Sequence, residues 1–157
     1  MSRDGEGASV NYAFEQKEVY KMITTTTSFP RILDVARHFH VPATTYNKWA
    51  RPKATFELPQ HPGVEAWCFN PDCASFANQS TGGWSEIHER YTGRNPNFDL
   101  VKAVVGSPRH TRLAFMREKD PTTGFHYRFI GVYHLNVKAS QSQAECLWKR
   151  TAQQFAD

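Results

Sequence analysis

The sharpest alternation of apolar and polar positions lies near the end of the chain. In Phe125-His126-Tyr127-Arg128-Phe129-Ile130-Gly131-Val132-Tyr133-His134-Leu135, one parity holds Phe125, Tyr127, Phe129, Tyr133 and Leu135. The other holds His126, Arg128, Ile130, Val132 and His134. A period of two sends successive side chains to opposite faces, so this run predicts a strand with its aromatic side in a core. Leu113-Ala114-Phe115-Met116 predicts the partner strand, and Asp120-Pro121-Thr122-Thr123-Gly124 supplies the turn between them. A proline early in a short turn and a glycine at its end are ordinary hairpin chemistry. Gly131 within the strand marks a bulge or a close backbone approach. From 140 to 156, Ala144, Leu147, Trp148 and Thr151 fall in helical spacing and predict a C-terminal helix.

Upstream the period lengthens. Residues 1–11 are polar and glycine-rich, a composition that predicts disorder. Tyr12, Val19, Tyr20 and Ile23 fit one helical face until the run Thr24-Thr25-Thr26-Thr27-Ser28 breaks it. Pro30 suits the first turn of a second helix, Arg31 to His40, whose buried stripe is Ile32, Val35, Ala36 and Phe39. Val41-Pro42 ends that helix, and Ala43 to Trp49 predicts a third. Arg51-Pro52-Lys53 marks a change to strand patterns with frequent Pro and Gly. The expected organisation is a disordered 1–11, a helical 12–52 and a β-rich, barrel-like 53–157 with a C-terminal helix. The fold class is α+β.

Ile32 through Trp49 resembles the helix-turn-helix of bacterial regulators and transposase-type DNA-binding segments. The family's small residue, turn apolar group, hydroxyl-rich start and closing aromatic correspond to Ala36, Val41, Thr44, Thr45 and Trp49. One departure is His40, where a glycine often stands. The resemblance implies a recognition helix in the major groove, with Asn47 reading an adenine edge beside Thr44 and Thr45. Arg37, Lys48, Arg51 and Lys53 would meet phosphates, as would His126 and Arg128 on the later strand. An ordinary helical hairpin with solvated polar residues fits the same pattern. Leu113 to Trp148, around Tyr127-Arg128-Phe129-Ile130-Gly131-Val132-Tyr133, resembles PUA-like domains, a group that includes readers of modified bases. That resemblance implies a pocket for an extruded base, with Trp67, Trp84 and Tyr127 as candidate stacking rings. The same rings suit a barrel core.

Charge supports a polyanionic partner without identifying it: 19 Lys and Arg against 15 Asp and Glu give a formal +4, with seven His besides. No apolar run reaches the roughly 18–20 residues of a membrane span, and the first residues lack a signal-peptide pattern. Three cysteines do not make a disulfide framework. A cytoplasmic protein with no cofactor is therefore expected, with DNA as partner. A homodimer is compatible, since helix-turn-helix proteins often read paired half-sites.

Other chemistry is weaker. Cys68 and Cys73, with His61 and His88, lack the second tight pair of a structural zinc site, so no metal is expected. Glu86, His88 and Glu89 form the candidate set for a small nuclease of a restriction or defence system, the alternative to pure binding. On a strand Glu86 and His88 share a face and Glu89 points away. A protein–protein adaptor using its aromatic residues is the third class.

Overall fold

The structure, a computed structural model, describes residues 22–47, 53–71 and 76–157. An eight-stranded mixed sheet dominates it. The strands are β1 (Met22–Thr24), β2 (Ser28–Phe29), β3 (Thr55–Glu57), β4 (Val64–Phe69), β5 (Phe76–Thr81), β6 (Glu86–Tyr91), β7 (Thr111–Asp120), β8 (Gly124–Leu135), β9 (Cys146–Ala152) and β10 (Gln154–Ala156). The main sheet runs β3-β4-β7-β8-β9-β6-β5, with β2 also paired to β8, and β1 pairs with β10 in a separate ribbon. Only the β4–β7 pairing is parallel among the described strands. Three short helices, α1 (Ile32–His38), α2 (Leu100–Val105) and α3 (Val137–Gln143), complete the α+β fold. No described helix is long and apolar enough to cross a membrane.

The predicted hairpin is present as β7 and β8. Asp120 Oδ1 accepts the backbone N–H groups of Thr122 at 2.7 Å and Thr123 at 3.2 Å, closing the turn. Those bonds hold the Asp120 carboxyl below its ordinary range. The pairing slips between Ala114 and Phe115, whose partners are Gly131 and Phe129. Ile130 is therefore an extra residue, and the alternation changes face there. Before the bulge Phe129 faces one core with Leu113 and Phe115; after it Tyr133 and Leu135 face the other with Trp148. At Gly131 (φ +150) a Cβ would lie 2.4 Å from Arg150 Cδ and 2.9 Å from Ala152 O. Bulge and close approach thus coincide at the glycine.

Three sequence expectations need correction. Residues 140–156 are not one helix: α3 ends at Ala144 (φ 55), and β9 and β10 follow. Trp148 and Cys146 enter the core from β9 while Lys149 stays exposed, so a helical spacing of a few residues had matched a strand. Ile23 lies in strand β1, paired with Phe155, and not at a helix end; residues 12–21 of that expected helix lie outside the described residues.

The helix-turn-helix is the third. Its first helix exists as α1, and its stop is well formed. His40 adopts φ 56, Val41 N–H bonds Ala36 O at 3.0 Å, and His40 N–H bonds Arg37 O at 3.1 Å. This is a Schellman ending with histidine in the left-handed position. The expected recognition helix, however, is a single 3-10 turn, Ala43–Thr45, and Tyr46 is extended (φ −80, ψ 154). Thr45 Oγ1 donates to Pro42 O at 2.7 Å, a local bond that competes with helix propagation. Lys48, Trp49 and Arg51 lie outside the described residues. Val35, Ala36, Phe39 and Val41 pack with Leu113, Phe115 and Phe129 in one core.

Candidate functional site

A cavity of about 360 Å³ opens beside the ends of β4 and β5. Its aromatic lining is Trp67 and Phe69 from β4, Phe76 from β5 and Tyr127 from β8; Ile32 of α1 and Leu100 of α2 add apolar surface. Its polar lining includes Asn78, Glu89 and Arg112, while Ala54 and Thr55 stand at β3. This is the usual size and make-up of a ligand site: mainly apolar, with a few polar groups aimed inward.

One wall is electrostatically closed. Arg112 donates from Nε to Glu65 Oε1 at 2.6 Å and from Nη1 to Glu89 Oε1 at 3.2 Å. Trp148 Nε1 donates to the same Glu89 oxygen at 3.2 Å, and Arg109 bridges Glu65 and Glu57. The guanidinium carbon of Arg112 sits 4.6 Å from the Trp67 ring centroid and 4.1 Å from that of Trp148. Alternation builds this arrangement. Glu65 and Trp67 share a face of β4, and their β7 partners are Arg112 and Ala114. Ion pairing and the two ring faces together repay the desolvation of a buried cation.

Beside this network one polar group is left unsatisfied. Asn78 stands directly opposite Glu89 in the β5–β6 ladder and is only 6% exposed. Its side-chain oxygen has no hydrogen-bond partner. A buried acceptor without a partner costs roughly 1–3 kcal/mol, so its retention in a cavity points to a ligand donor. Burial raises the Tyr127 phenol above its ordinary pKa, with Arg117 opposing the shift. Cys68, also on the lining, is a buried thiol pushed far up by desolvation and is inert as a thiolate.

Of the expected stacking rings, Trp67 and Tyr127 line the cavity. Trp84 lies on the β5–β6 turn at φ 71, its ring 5.8 Å from Phe69, and its carbonyl accepts from Tyr133. The expected phosphate contacts divide. Lys53 is exposed beside Ala54; Arg37, Thr44, Thr45 and Asn47 are exposed on and after α1. His126 and Arg128 both bond Glu118 Oε1, at 2.9 and 2.8 Å, and Arg128 reaches Thr25 O. Glu118 resists ionisation through burial but is held below its ordinary value by those two donors. His88 Nδ1 lies 2.7 Å from Glu145 Oε1, and its Nε2 is buried, unbonded and 3.6 Å from Glu86 Oε2. Glu89 is on the other face, inside the cavity wall, so Glu86, His88 and Glu89 do not converge. Among the described residues no group of three His, Cys, Asp or Glu is arranged to hold a metal ion.

Sequence reasoning missed Asn78, Phe76, Phe69 and Arg112. The detectable signal was an asparagine inside Phe76-Ala77-Asn78-Gln79-Ser80-Thr81, a strand-length segment where asparagine is disfavoured.

Compared with protein families, residues 14–156 match the SET and RING associated (SRA) domain. The expected PUA-like character of the C-terminal block agrees with this match. No curated protein matches the chain. Among solved structures it is similar to the 5-hydroxymethylcytosine-specific restriction enzyme AbaSI, with a TM-score of 0.63 and 16% identity. The alignment covers 86% of this chain and 42% of that one. At such identity the likeness establishes the fold.

Proposed function

The chain belongs to the SRA domain family, and from that premise we propose that it reads a modified base in DNA, taking it out of the duplex into the Trp67–Tyr127 cavity. The observation that carries the reading is the unpartnered oxygen of Asn78 in an aromatic-lined hollow. A flipped base needs a ring to stack on and a polar group for its Watson–Crick edge, and it repays unstacking with both. Asn78 Oδ1 accepts a hydrogen bond from an exocyclic amine of the base. Trp67, fixed by Arg112, and Tyr127 contribute the apolar contact. Lys53, beside the lining residues Ala54 and Thr55, neutralises a phosphate at the mouth.

The solved relative's printed specificity makes 5-hydroxymethylcytosine the first base to test. That chain is longer, and its restriction activity belongs to it as a whole; the present chain spans 42% of its length. Base reading needs no reacting group of this chain. The proposal is therefore recognition, with cleavage left to that relative.

The test uses matched duplexes with cytosine, 5-methylcytosine or 5-hydroxymethylcytosine at one position, read by fluorescence anisotropy at fixed salt. At least tenfold tighter binding of one modified duplex is expected, as one lost polar contact in a built site is worth about that much. Asn78→Leu should weaken all three duplexes alike, because the exocyclic amine from which Asn78 accepts is common to the three bases. Equal affinity for all three duplexes would falsify the reading.

A further inference from the structure

Glu89 and Leu100 line two hollows: the cavity described above and a second, of about 540 Å³, that base reading leaves unused. The second is built by the last residues of β6, by the segment 96–101 that enters α2, and by Ala144 and Glu145 between α3 and β9. It runs on into a third hollow of about 550 Å³, beside Val101 and Val105 of α2 and Gln141 of α3. Asp99, Val101 and Ala144 line both of these, so the two form one groove along α2.

The first part of the groove combines exposed aromatic surface with negative charge. Phe98 is 39% exposed, and its ring meets Tyr91 edge-on with 4.6 Å between centroids. Tyr91 is fixed in turn by Phe76, at 5.6 Å, and by Asn95 N–H, which donates to its hydroxyl at 3.1 Å. The carboxylates of Glu89, Asp99 and Glu145 line this part against one guanidinium, that of Arg90. Glu89 is committed to Arg112 and Trp148, while Glu145 holds His88 at 2.7 Å and Arg90 only at 3.7 Å. Asp99 Oδ1 caps α2 by accepting from Lys102 N–H at 3.0 Å. Among the described residues Asp99 forms no ion pair. The adjacent Cys146 thiol feels this field: burial pushes it up to about 12, and Glu89, Asp99 and Glu145 add to the rise against Arg112. The second part is aliphatic, with Val101, Val105 and Ala144, and Lys102 is its one cation.

We propose that this groove docks an extended segment of a partner protein, with an arginine or lysine side chain in the first part and an aliphatic side chain in the second. The cation lies against the Phe98 and Tyr91 rings and pairs with Asp99. Its aliphatic neighbour covers Val101 and Val105. Charge complementarity selects this occupant: the chain as a whole is +4, so a negative hollow attracts a cation locally and repels a phosphate backbone. Neither Asn78 nor Tyr127 lines the groove, so the proposal does not depend on base reading.

The probe is a fluorescein-labelled peptide of glycine and serine that carries one arginine and, two positions on, one leucine, which puts both on one face of an extended segment. A matched peptide has citrulline, a neutral isostere, in place of the arginine. Anisotropy with the full chain should show the arginine peptide bound roughly five- to tenfold more tightly, the worth of a cation–π contact beside a carboxylate. Asp99→Asn keeps the helix cap, since asparagine caps as well as aspartate, yet should remove most of that difference. Phe98→Leu keeps apolar area without a π face and should weaken the arginine peptide alone. Asn78→Leu should leave both peptides unaffected, which separates this site from the base cavity. Equal binding of the arginine and citrulline peptides, or no binding at millimolar peptide, overturns the proposal. Sedimentation of the parent chain supplies the remaining outcome: a dimer that is lost on Phe98→Leu makes a second copy the occupant, and the partner-peptide proposal falls.

Discussion

The Arg112 network and Asn78 line the same cavity and meet at Glu89, yet they treat buried polarity in opposite ways. Around Arg112 every charged group has a partner: Glu65 and Glu89 accept its protons, Trp148 donates to Glu89, and two indole rings cover the cation. Across the ladder Asn78 keeps a buried oxygen with nothing to bond. A satisfied network fixes shape, whereas a retained vacancy costs stability unless something else fills it. The difference separates scaffold from reading surface within a single pocket.

Breaking the closed wall should have the largest effect. Arg112→Leu leaves Glu65 and Glu89 buried without their shared cation, and removal of one partner from such a group costs about 3–5 kcal/mol. Urea unfolding should show this as a much lower midpoint with an unchanged slope. A midpoint close to the parent's would mean that the network is not a stabilising scaffold. Asn78→Leu is the counterpart: it removes a buried acceptor that has no bond to lose, so the variant should be at least as stable as the parent, by up to about 1–3 kcal/mol. A loss as large as that of Arg112→Leu would make Asn78 part of the scaffold and erase the contrast.

The two tyrosines sharpen the comparison without mutation. Tyr133 belongs to the closed interior: it is fully buried, donates to Trp84 O, and burial pushes its pKa up to about 12 against an opposing effect of Arg150. Tyr127 belongs to the open cavity, and burial also raises it. For Tyr133 the folded value exceeds the unfolded one of roughly 10. Its contribution to stability is therefore complete below that pH and lost as pH rises through about 12. Ultraviolet titration should show both phenols ionising late. Added 5-hydroxymethylcytosine duplex should delay Tyr127 further and leave Tyr133 unmoved, as judged with Tyr127→Phe; movement of Tyr133 alone would contradict the assignment.

Legibility in the sequence tracked how local the information was. The hairpin of β7 and β8 was readable because a long period-two run and a Pro/Gly turn specify it within neighbouring residues. The bulge was readable at Gly131, but its consequence, a change of face between Phe129 and Tyr133, needed the ladder. Cys146 to Ala152 failed because four positions in helical spacing also suit a strand, and pairing with β6 and β8 decided between them. The helix-turn-helix failed because its pattern described α1 and its Schellman stop, while nothing local forces Ala43 to Tyr46 beyond one 3-10 turn. Trp67 and Tyr127 could be named as candidate rings from residue type. Asn78 and Arg112 could not, since their roles come from neighbours dozens of residues away.

By itself the sequence determined the α+β class, the position of its strongest hairpin and a basic, aromatic-rich chain suited to nucleic acid, because propensity, alternation and charge are properties of neighbouring residues. Tertiary structure alone decided that Arg112 is sealed between Trp67 and Trp148, that Asn78 is left open, and that Tyr91, Asp99 and Glu145 line one hollow. Those facts depend on strand order and register, which bring distant segments onto a common face. Burial and partner count, and hence the energy of each polar group, exist only once that pairing is made.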